Sequence, residues 1–213
     1  KKWANDFNIN WSLVKFSIKH TYNRVSGIIS VSSGIKEDIL KIISMEKNKL
    51  QVIYNPINNK SIHYKKSQNE RIKLFGNLKH NIVSTGSLKK SKDYITLINA
   101  VNFLINRNIE INLNIIGEGE EKENLDKLIK KNNLSQNIKL LGYIKDPFPY
   151  LVNADLYVNS SIYDGLPLSM IEALVSKIPI VSTDCDSGPR EILKNGKYGI
   201  LVPIKDYKSL AFE

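Results

Sequence analysis

Two carboxylates, Asp164 and Glu172, stand eight residues apart around a predicted helix start. Between them lies Gly-Leu-Pro, and proline favours the first position of a helix. The backbone N–H groups of Leu168 and Ser169 are then expected to lie unpaired at the N-terminus of that helix. Unpaired amides and the positive end of the helix dipole form an anion site, so the sequence predicts phosphate binding here.

Glu172 lies in a segment that is apolar almost all round, Met-Ile-Glu-Ala-Leu-Val. Such a helix is expected to be buried, where a carboxylate is costly unless a partner donates hydrogen bonds to it. Glu172 follows Leu168 by one helical turn, so both face the same side. We interpret Glu172 as an acceptor for sugar hydroxyls beside a bound phosphate. The structural alternative is a glutamate that reaches solvent or pairs with an internal Arg or Lys.

The composition is that of a globular chain with a basic balance. Its 213 residues are 42% hydrophobic, and 31 Lys and Arg against 21 Asp and Glu give a formal charge of +10. The lysines are interleaved with acidic residues, which is typical of solvated surfaces and argues against specific nucleic-acid binding. The single cysteine, Cys185, excludes an internal disulfide framework and a cysteine-cluster metal site, and it favours a cytoplasmic setting.

Strands and helices alternate along the chain, and this pattern must position the two carboxylates. Short apolar runs predict strands at 28–32, 51–54, 81–85, 111–116, 138–141, 156–158, 180–182 and 200–202. With helices between them, the alternation predicts an α/β fold, a Rossmann-like parallel sheet with helices on both faces. Ligands of such sheets bind at the C-terminal ends of the strands, so the loops there are expected to carry the chemistry.

A second glycine-containing turn follows the strand predicted at 111–116. Gly117 and Gly119 begin a G-x-G pattern, but Lys122 stands where a dinucleotide fingerprint has its last glycine. Nicotinamide-dinucleotide binding is therefore a weak hypothesis, and a simple strand-ending turn is the alternative.

The ordered motifs resemble family 4 glycosyltransferases, which are retaining enzymes of the GT-B fold that use nucleotide-sugar donors. The spacing of Asp164 and Glu172 is similar to the acid-x7-acid motif of that family, in which the first acid is more usually Glu. The resemblance covers nearly the whole chain. It runs in family order through I-I-S-V-S-S-G-I-K-E-D-I, V-I-Y-N-P-I, V-S-T-G-S-L-K-K-S-K-D-Y, L-N-I-I-G-E-G-E, L-L-G-Y-I-K-D-P, L-V-N-A-D-L-Y-V-N-S-S and I-P-I-V-S-T-D-C-D-S-G-P-R-E-I-L.

The resemblance implies a donor site around the two carboxylates. The implied catalytic residues are Asp164, Glu172 and Lys92. The implied donor-binding residues are Gly86, Ser87, Lys92, Gly117, Tyr143, Ile144, Asp164, Gly165, Leu166, Pro167, Leu168, Ser169 and Glu172. Ser87 replaces the arginine that the family often places against the donor diphosphate, whereas Lys92 keeps the second basic position. Lys89 or Lys90 is a candidate to compensate for Ser87.

The resemblance also implies a role for each group. The helix N-terminus and Lys92 would stabilise charge on the leaving diphosphate, and Glu172 would hold the ribose hydroxyls. Asp164 would orient the transferred sugar. Residues 143–144 would hold the base mostly through backbone contacts, and Gly117 would let the donor approach the sheet edge.

A division of the chain follows from the same resemblance. Residues 1–54 are expected to be the end of an acceptor-binding domain, 55–80 an interdomain linker, and 81–213 a donor-binding domain that stops before its usual last helices. The chain is then expected to be a piece of a longer enzyme, which binds nucleotide but transfers sugar poorly by itself.

The implied function is transfer of a hexose or N-acetylhexosamine from a nucleotide sugar, with a UDP-sugar expected, to a glycan or lipid-linked acceptor. The expected process is synthesis of a surface polysaccharide, such as lipopolysaccharide or capsule, in the cytoplasm at the inner face of the membrane, where basic residues suit anionic lipid. No cofactor and no protein-bound metal are expected, and the Asp-Cys-Asp run at 184–186 is interpreted as a loop with Cys185 buried. A nucleotide-sugar epimerase of the same fold and a non-catalytic phosphate or nucleic-acid binding module remain alternatives.

Overall fold

The computed structural model describes residues 10–22, 24–43, 47–57, 64–76 and 80–213. The chain divides into two compact units between Asn55 and Pro56. This division lies one residue beyond the expected end of an acceptor domain at 54, and the assignment of the first unit to such a domain stays a prediction.

The first unit carries a short parallel strand pair and two helices among its described residues. Its elements are α1 (Trp11–Tyr22), β1 (Ile28–Ser30), α2 (Ser33–Ile42) and β2 (Leu50–Val52). Strands β1 and β2 pair in parallel. Helix α2 begins after Ser32 because the Ser32 side chain accepts a hydrogen bond from the Ile35 amide.

The second unit is built on a six-stranded parallel sheet in the order β10–β8–β6–β3–β4–β5. Its strands are β3 (His80–Thr85), β4 (Ile111–Ile116), β5 (Ile138–Leu140), β6 (Leu156–Asn159), β8 (Ile180–Thr183) and β10 (Ile200–Val202). A separate parallel pair joins β7 (Tyr163–Asp164) to β9 (Asp186–Ser187). The chain runs outward from β3 to β5 and then returns to the other side of β3 with β6. Crevices at such a reversal are where open parallel sheets bind ligands.

Helices cover both faces of this sheet. One face packs against α4 (Tyr94–Ile105), α5 (Lys122–Lys131) and α9 (Tyr207–Phe212). The other face packs against α3 (Gln68–Phe75), α6 (Phe148–Asn153), α7 (Leu168–Val175) and α8 (Gly188–Ile192). Neighbouring strand residues alternate between the two cores, as Ile82 and Val83 do, because successive side chains of a strand point to opposite faces.

The predicted α/β fold is therefore confirmed. The strands predicted at 111–116 and 200–202 have the predicted bounds, and the others differ by one or two residues at their ends. The two-residue strands β7 and β9 are too short to give a sequence pattern. No helix in the described parts of the chain is both long enough and apolar enough to span a membrane.

The stretch 55–80 differs from the expected linker because it contains helix α3 of the second unit. Ser67 caps this helix, and Phe75 is buried at its end. Arg71 donates two hydrogen bonds to the Asp155 carboxylate, at 2.7 and 2.6 Å. Burial alone raises the pKa of Asp155, but the hydrogen bonds from Arg71 and from a backbone amide hold it below its ordinary value. The two Arg71–Asp155 hydrogen bonds, which join residues 84 positions apart, attach the helix to the start of β6.

Candidate functional site

A cavity of about 380 Å³ opens at the C-terminal ends of β3, β4 and β5, beside the N-terminus of α7. Three loops and one helix supply its lining: Thr85, Gly86, Ser87, Ile116, Gly117, Glu118, Tyr143, Ile144, Pro147, Ser169 and Glu172. Seven of these are among the predicted donor-binding residues: Gly86, Ser87, Gly117, Tyr143, Ile144, Ser169 and Glu172. The structure thus brings together residues that are up to 86 positions apart in the sequence.

The loops after β3 and β4 interlock through their glycines. The Gly86 amide donates to the Ile116 carbonyl at 2.9 Å, and the Leu88 amide donates to the Glu118 carbonyl at 2.8 Å. A Cβ atom at Gly117 would lie 1.9 Å from the Gly86 carbonyl oxygen, and the Gly117 φ of 146° also favours glycine. Gly117 therefore allows the two loops to pack, which is the role of a strand-ending turn. Contact of Gly117 with a donor stays a prediction.

Helix α7 begins at Leu168, one residue later than the proline pattern predicts. Pro167 precedes the helix in an extended conformation, and its carbonyl accepts the first intrahelical hydrogen bond from the Met170 amide at 3.0 Å. The amides of Leu168 and Ser169 come before this bond and lie at the open end of the helix. Leu168 is 40% exposed and lies outside the cavity lining, so contact of its amide with a ligand stays a prediction. Ser169, three residues before Glu172, lines the cavity together with Glu172.

The segment Gly165, Leu166 and Pro167 lies outside the cavity lining. Leu166 and Pro167 are buried, and the chain at Gly188 packs directly against all three. A Cβ atom at Gly188 would lie 2.6 Å from Pro167 Cδ and 2.8 Å from the Gly165 carbonyl oxygen. These contacts fix the point at which α7 begins, and a direct contact of the segment with ligand stays a prediction.

Glu172 is half-buried in the cavity wall, rather than fully buried as its apolar neighbours predict. Burial raises the pKa of its carboxyl group, and the nearby Asp146 carboxylate raises it further. Within the described residues, no Arg or Lys forms an ion pair with Glu172, so the alternative of an internal pair is not supported. A carboxylate on a cavity wall can accept hydrogen bonds from ligand hydroxyls.

Lys92 and Asp164 form an ion pair next to the cavity, with 2.5 Å between Nζ and Oδ2. The two side chains are only 17% and 16% exposed, and Ser160 Oγ donates to the Lys92 carbonyl at 2.7 Å. The Lys92 ammonium lies against Gly86, because a Cβ atom there would be 3.6 Å from Nζ. The structure therefore joins two of the predicted catalytic residues to each other, and they adjoin the cavity through Gly86 without lining it.

Ser87, which replaces the usual arginine, is exposed in the cavity lining. Lys89 and Lys90 line a separate cavity of about 80 Å³ together with Glu121. The structure therefore does not support the expectation that Lys89 or Lys90 compensates for Ser87. The Lys92 ammonium lies beside Gly86 of this loop.

Tyr143 and Ile144 line the cavity at the loop after β5. The Tyr143 side chain is 72% exposed, Ile144 is half-buried, and Pro147 continues the apolar lining. An accessible ring with apolar neighbours offers a surface on which a planar base can stack.

The family model described as "Glycosyl transferases group 1" matches residues 65–212. The chain belongs to this family. One curated relative of this chain is the N-acetylgalactosamine-N,N'-diacetylbacillosaminyl-diphospho-undecaprenol 4-alpha-N-acetylgalactosaminyltransferase of Campylobacter jejuni. It is 32% identical over 207 residues, which cover 97% of this chain and 54% of that protein.

Solved structures show the same fold as this chain. HepE of Anabaena, crystallised with UDP and glucose, matches with a TM-score of 0.80 at 20% identity, over 93% of this chain and 56% of that one. A variant of TarM of S. aureus, crystallised with fondaparinux, α-GlcNAc-glycerol and UDP, matches with a TM-score of 0.78 at 27% identity, over 93% and 38%. The predicted resemblance to family 4 and its GT-B fold is confirmed. The chain spans about half or less of the length of these relatives.

The Asp-Cys-Asp run at 184–186 does not form a cluster of metal-ligating side chains with other described residues. Asp184 pairs with Arg190, and Cys185 is buried as predicted. Burial raises the pKa of the Cys185 thiol to about 12, so the thiol stays protonated at neutral pH. In the parts of the chain that the structure describes, no group of three or more His, Cys, Asp or Glu side chains could hold a metal ion.

Sequence reasoning does not select four of the lining residues of this candidate site: Thr85, Ile116, Glu118 and Pro147. Thr85 directly precedes Gly86, and the pair Ile116 and Glu118 flanks Gly117. Extending each predicted loop by one residue would have found these three, because the ends of neighbouring parallel strands meet at one edge. Nothing in the local pattern identifies Pro147 as a lining residue.

A second cavity, of about 500 Å³, lies in the same unit at the start of β6 and β8. Its lining includes Tyr64, Lys66, Asp155, Ser176 and Lys177. The N-terminal edge of a parallel sheet is not where such folds bind ligands, and the Asp155 carboxylate is already held by hydrogen bonds. We therefore assign the candidate site to the cavity beside α7.

Proposed function

We propose that the second unit binds a nucleotide sugar, with a UDP-sugar as the donor, in the cavity beside α7. The observation that carries this proposal is the cavity lining, which combines Ser169 at the N-terminus of α7, the Glu172 carboxylate and the exposed Tyr143 ring. These features suit a phosphate, ribose hydroxyls and a planar base in turn. HepE and the TarM variant were crystallised with UDP, which supports UDP as the first ligand to test.

The proposed chemistry is stabilisation of the leaving diphosphate. Negative charge builds on the diphosphate as the glycosidic bond breaks, and fixed positive groups beside it lower the energy of the transition state. The amides at the start of α7 and the Lys92 ammonium would supply these groups. Asp164, which holds Lys92 in place, would orient the transferred sugar. Because protein groups rather than a metal ion receive the charge, we expect UDP binding to be unchanged by EDTA.

The proposed reaction of the longer protein is transfer with retention to a glycan or lipid-linked acceptor in surface polysaccharide synthesis. The name of the C. jejuni relative describes transfer to a sugar carried on diphospho-undecaprenol. The formal charge of +10 suits contact with an anionic membrane surface, which supports a place at the inner face of the cytoplasmic membrane. The transferred sugar would be a hexose or an N-acetylhexosamine.

Calorimetric titration of the chain with UDP, GDP and ADP tests the proposed donor site. We expect UDP to bind with one-to-one stoichiometry and more tightly than GDP or ADP. Glu172→Ala is expected to weaken UDP binding by about 1–3 kcal/mol, the cost of losing hydrogen bonds to a charged acceptor. Glu110→Ala is the matched control, because Glu110 is exposed just before β4, at the opposite edge of the sheet.

Three results would contradict the proposed function. The first is an equal effect of Glu172→Ala and Glu110→Ala on UDP binding. The second is conversion of a UDP-sugar to an isomer without any acceptor, which an epimerase would catalyse. The third is tight binding to any polynucleotide that Glu172→Ala does not change, which a nucleic-acid binding module would show.

A further inference from the structure

Tyr157 is a fully buried tyrosine beneath the cavity that the proposed function does not use. Its hydroxyl donates to Ser169 Oγ at 2.9 Å and lies 3.4 Å from the Thr85 carbonyl oxygen. Its side chain is 0% exposed and packs in the core that α6 and α7 form with the sheet. A single phenol therefore joins the end of β3 to the first turn of α7, and both of these elements line the cavity.

The distances favour one direction for this hydrogen bond, because the phenol has a single proton and Ser169 Oγ, at 2.9 Å, is nearer than the Thr85 carbonyl oxygen, at 3.4 Å. Burial raises the pKa of Tyr157 to about 12, so its hydroxyl keeps its proton throughout the neutral range and can donate it. Ser169 Oγ then serves as the acceptor, which leaves its own O–H free to donate to a second group. Within the described residues, the structure records no acceptor for that proton, and Ser169 lines the cavity.

The surroundings of Ser169 favour an anionic acceptor. Its hydroxyl stands in the first turn of α7, where unpaired amides and the helix dipole attract negative charge. The Lys92 ammonium lies nearby against Gly86. Glu172, one turn further along α7, would repel an anion but can accept from hydroxyls, so the two side chains suit different parts of one ligand.

Thr85 provides an independent sign that a polar ligand completes this part of the cavity. Its side chain lines the cavity and is only 7% exposed. Among the described residues, its Oγ1 has no hydrogen-bond partner. A buried hydroxyl without a partner destabilises the free protein, so a ligand that supplies one is favoured.

We propose that Tyr157 is a positioning residue that holds the Ser169 hydroxyl as a hydrogen-bond donor to a phosphate of the bound nucleoside diphosphate. This inference rests on the proposed function and identifies how the chain recognises the phosphate part of its donor. Tyr157 itself touches no ligand, because it is enclosed by protein. Its effect on binding passes through Ser169.

A double-mutant cycle on UDP affinity tests this coupling. Tyr157→Phe and Ser169→Ala are each expected to weaken UDP binding about 3–10-fold, as for the loss of one hydrogen bond. The double variant is expected to bind no more weakly than Ser169→Ala alone, because Tyr157 acts only through that hydroxyl. Tyr207→Phe and Ser209→Ala are the matched controls, since both lie on α9 on the opposite face of the sheet, and they should leave UDP affinity unchanged.

Uridine identifies the part of the ligand that Ser169 contacts. Tyr157→Phe is expected to leave uridine affinity, measured by competition with UDP, within about twofold of the unmodified chain. Losses of equal size for UDP and uridine would overturn the phosphate contact. A lower melting temperature of Tyr157→Phe with unchanged UDP affinity, or additive losses in the double variant, would show a purely structural tyrosine and overturn the proposal. Failure of the unmodified chain to bind UDP would instead overturn the proposed function, and this inference with it.

Discussion

Glu172 can serve the proposed site only when it is ionised, yet its surroundings disfavour that form. Burial in the cavity wall and the Asp146 carboxylate both raise its pKa. A native pKa above the unfolded value means that the native state holds the proton more tightly, so stability falls as pH rises through this interval. The carboxylate therefore costs stability at neutral pH in the free protein, as binding groups often do.

Glu172→Gln separates the two effects of this carboxylate. At pH 7 the variant is expected to unfold at a higher temperature than the unmodified chain, because it has no charge to desolvate. The difference in melting temperature should disappear at a pH below 4.5, the ordinary pKa of a glutamate carboxyl group, because both side chains are then neutral. UDP affinity at pH 7 should fall about tenfold or more. Melting curves from pH 3.5 to 8 check the first effect, and a melting temperature of Glu172→Gln that falls relative to the unmodified chain as the pH rises would contradict it.

Single residues of the site differ in how well the sequence predicts them. Asp164 and Glu172 follow from spacing and charge, since an acidic pair around a helix start is visible in one short segment, whereas Lys92 is implied only by the family resemblance. The roles of Ser169 and Tyr157 depend on a hydrogen bond between residues 12 positions apart on a strand and a helix. Such a contact depends on how α7 packs on the sheet, which no local pattern reports.

The elements that position the site are held by two interlocked glycine loops. The loop after β3 and the loop after β4 exchange backbone hydrogen bonds, and Gly117 leaves no room for a side chain against Gly86. Gly142, which pairs with Gly117 through a 2.8 Å hydrogen bond, has a φ of 73° but only ordinary contacts around it. Alanine substitutions at Gly117 and Gly142 therefore distinguish two causes of instability, which are steric overlap with backbone and an unfavourable backbone conformation.

Gly117→Ala is expected to be much more damaging than Gly142→Ala. The first change adds a backbone overlap to the cost of a positive φ, and we expect it to lower the free energy of unfolding by about 2–4 kcal/mol. The second should cost about 1–2 kcal/mol, which is the cost of the left-handed conformation alone. Denaturant unfolding of both variants measures the difference. Equal losses would show that the loops can separate without penalty.

Prediction of the elements succeeded where periodicity was strong. Strand β4, whose six residues are all buried, has its predicted bounds. The mostly polar sequence of helix α3 predicts a linker instead, because the contacts that stabilise this helix are distant in sequence, such as that between Arg71 and Asp155. A helix that depends on tertiary contacts gives a weak local signal.

The whole molecule has a charge that could attract nucleic acid as well as nucleotides. Its formal charge is +10, but every lining residue of the candidate site lies between 85 and 172, in one cavity of the second unit. A single small cavity can engage only a few phosphates, whereas a basic surface engages many. The two modes of binding therefore differ in their dependence on salt.

We expect UDP affinity to fall by about tenfold or less between 50 and 200 mM salt, as for contacts to two phosphates. A polynucleotide that neutralised six or more charges would lose about a thousandfold over the same range. Titrations of the chain with UDP and with polyuridylate at both salt concentrations check this expectation. Tight polyuridylate binding that competes with UDP would favour the nucleic-acid module.

The most direct test of the account is a crystal structure of the chain with UDP. We predict that the diphosphate lies at the first turn of α7 beside Ser169, with the ribose at Glu172 and the base at Tyr143. UDP in the cavity near Lys66 and Lys177, or an empty cavity beside α7 with Glu172 paired to an internal cation, would contradict the assignment of the site.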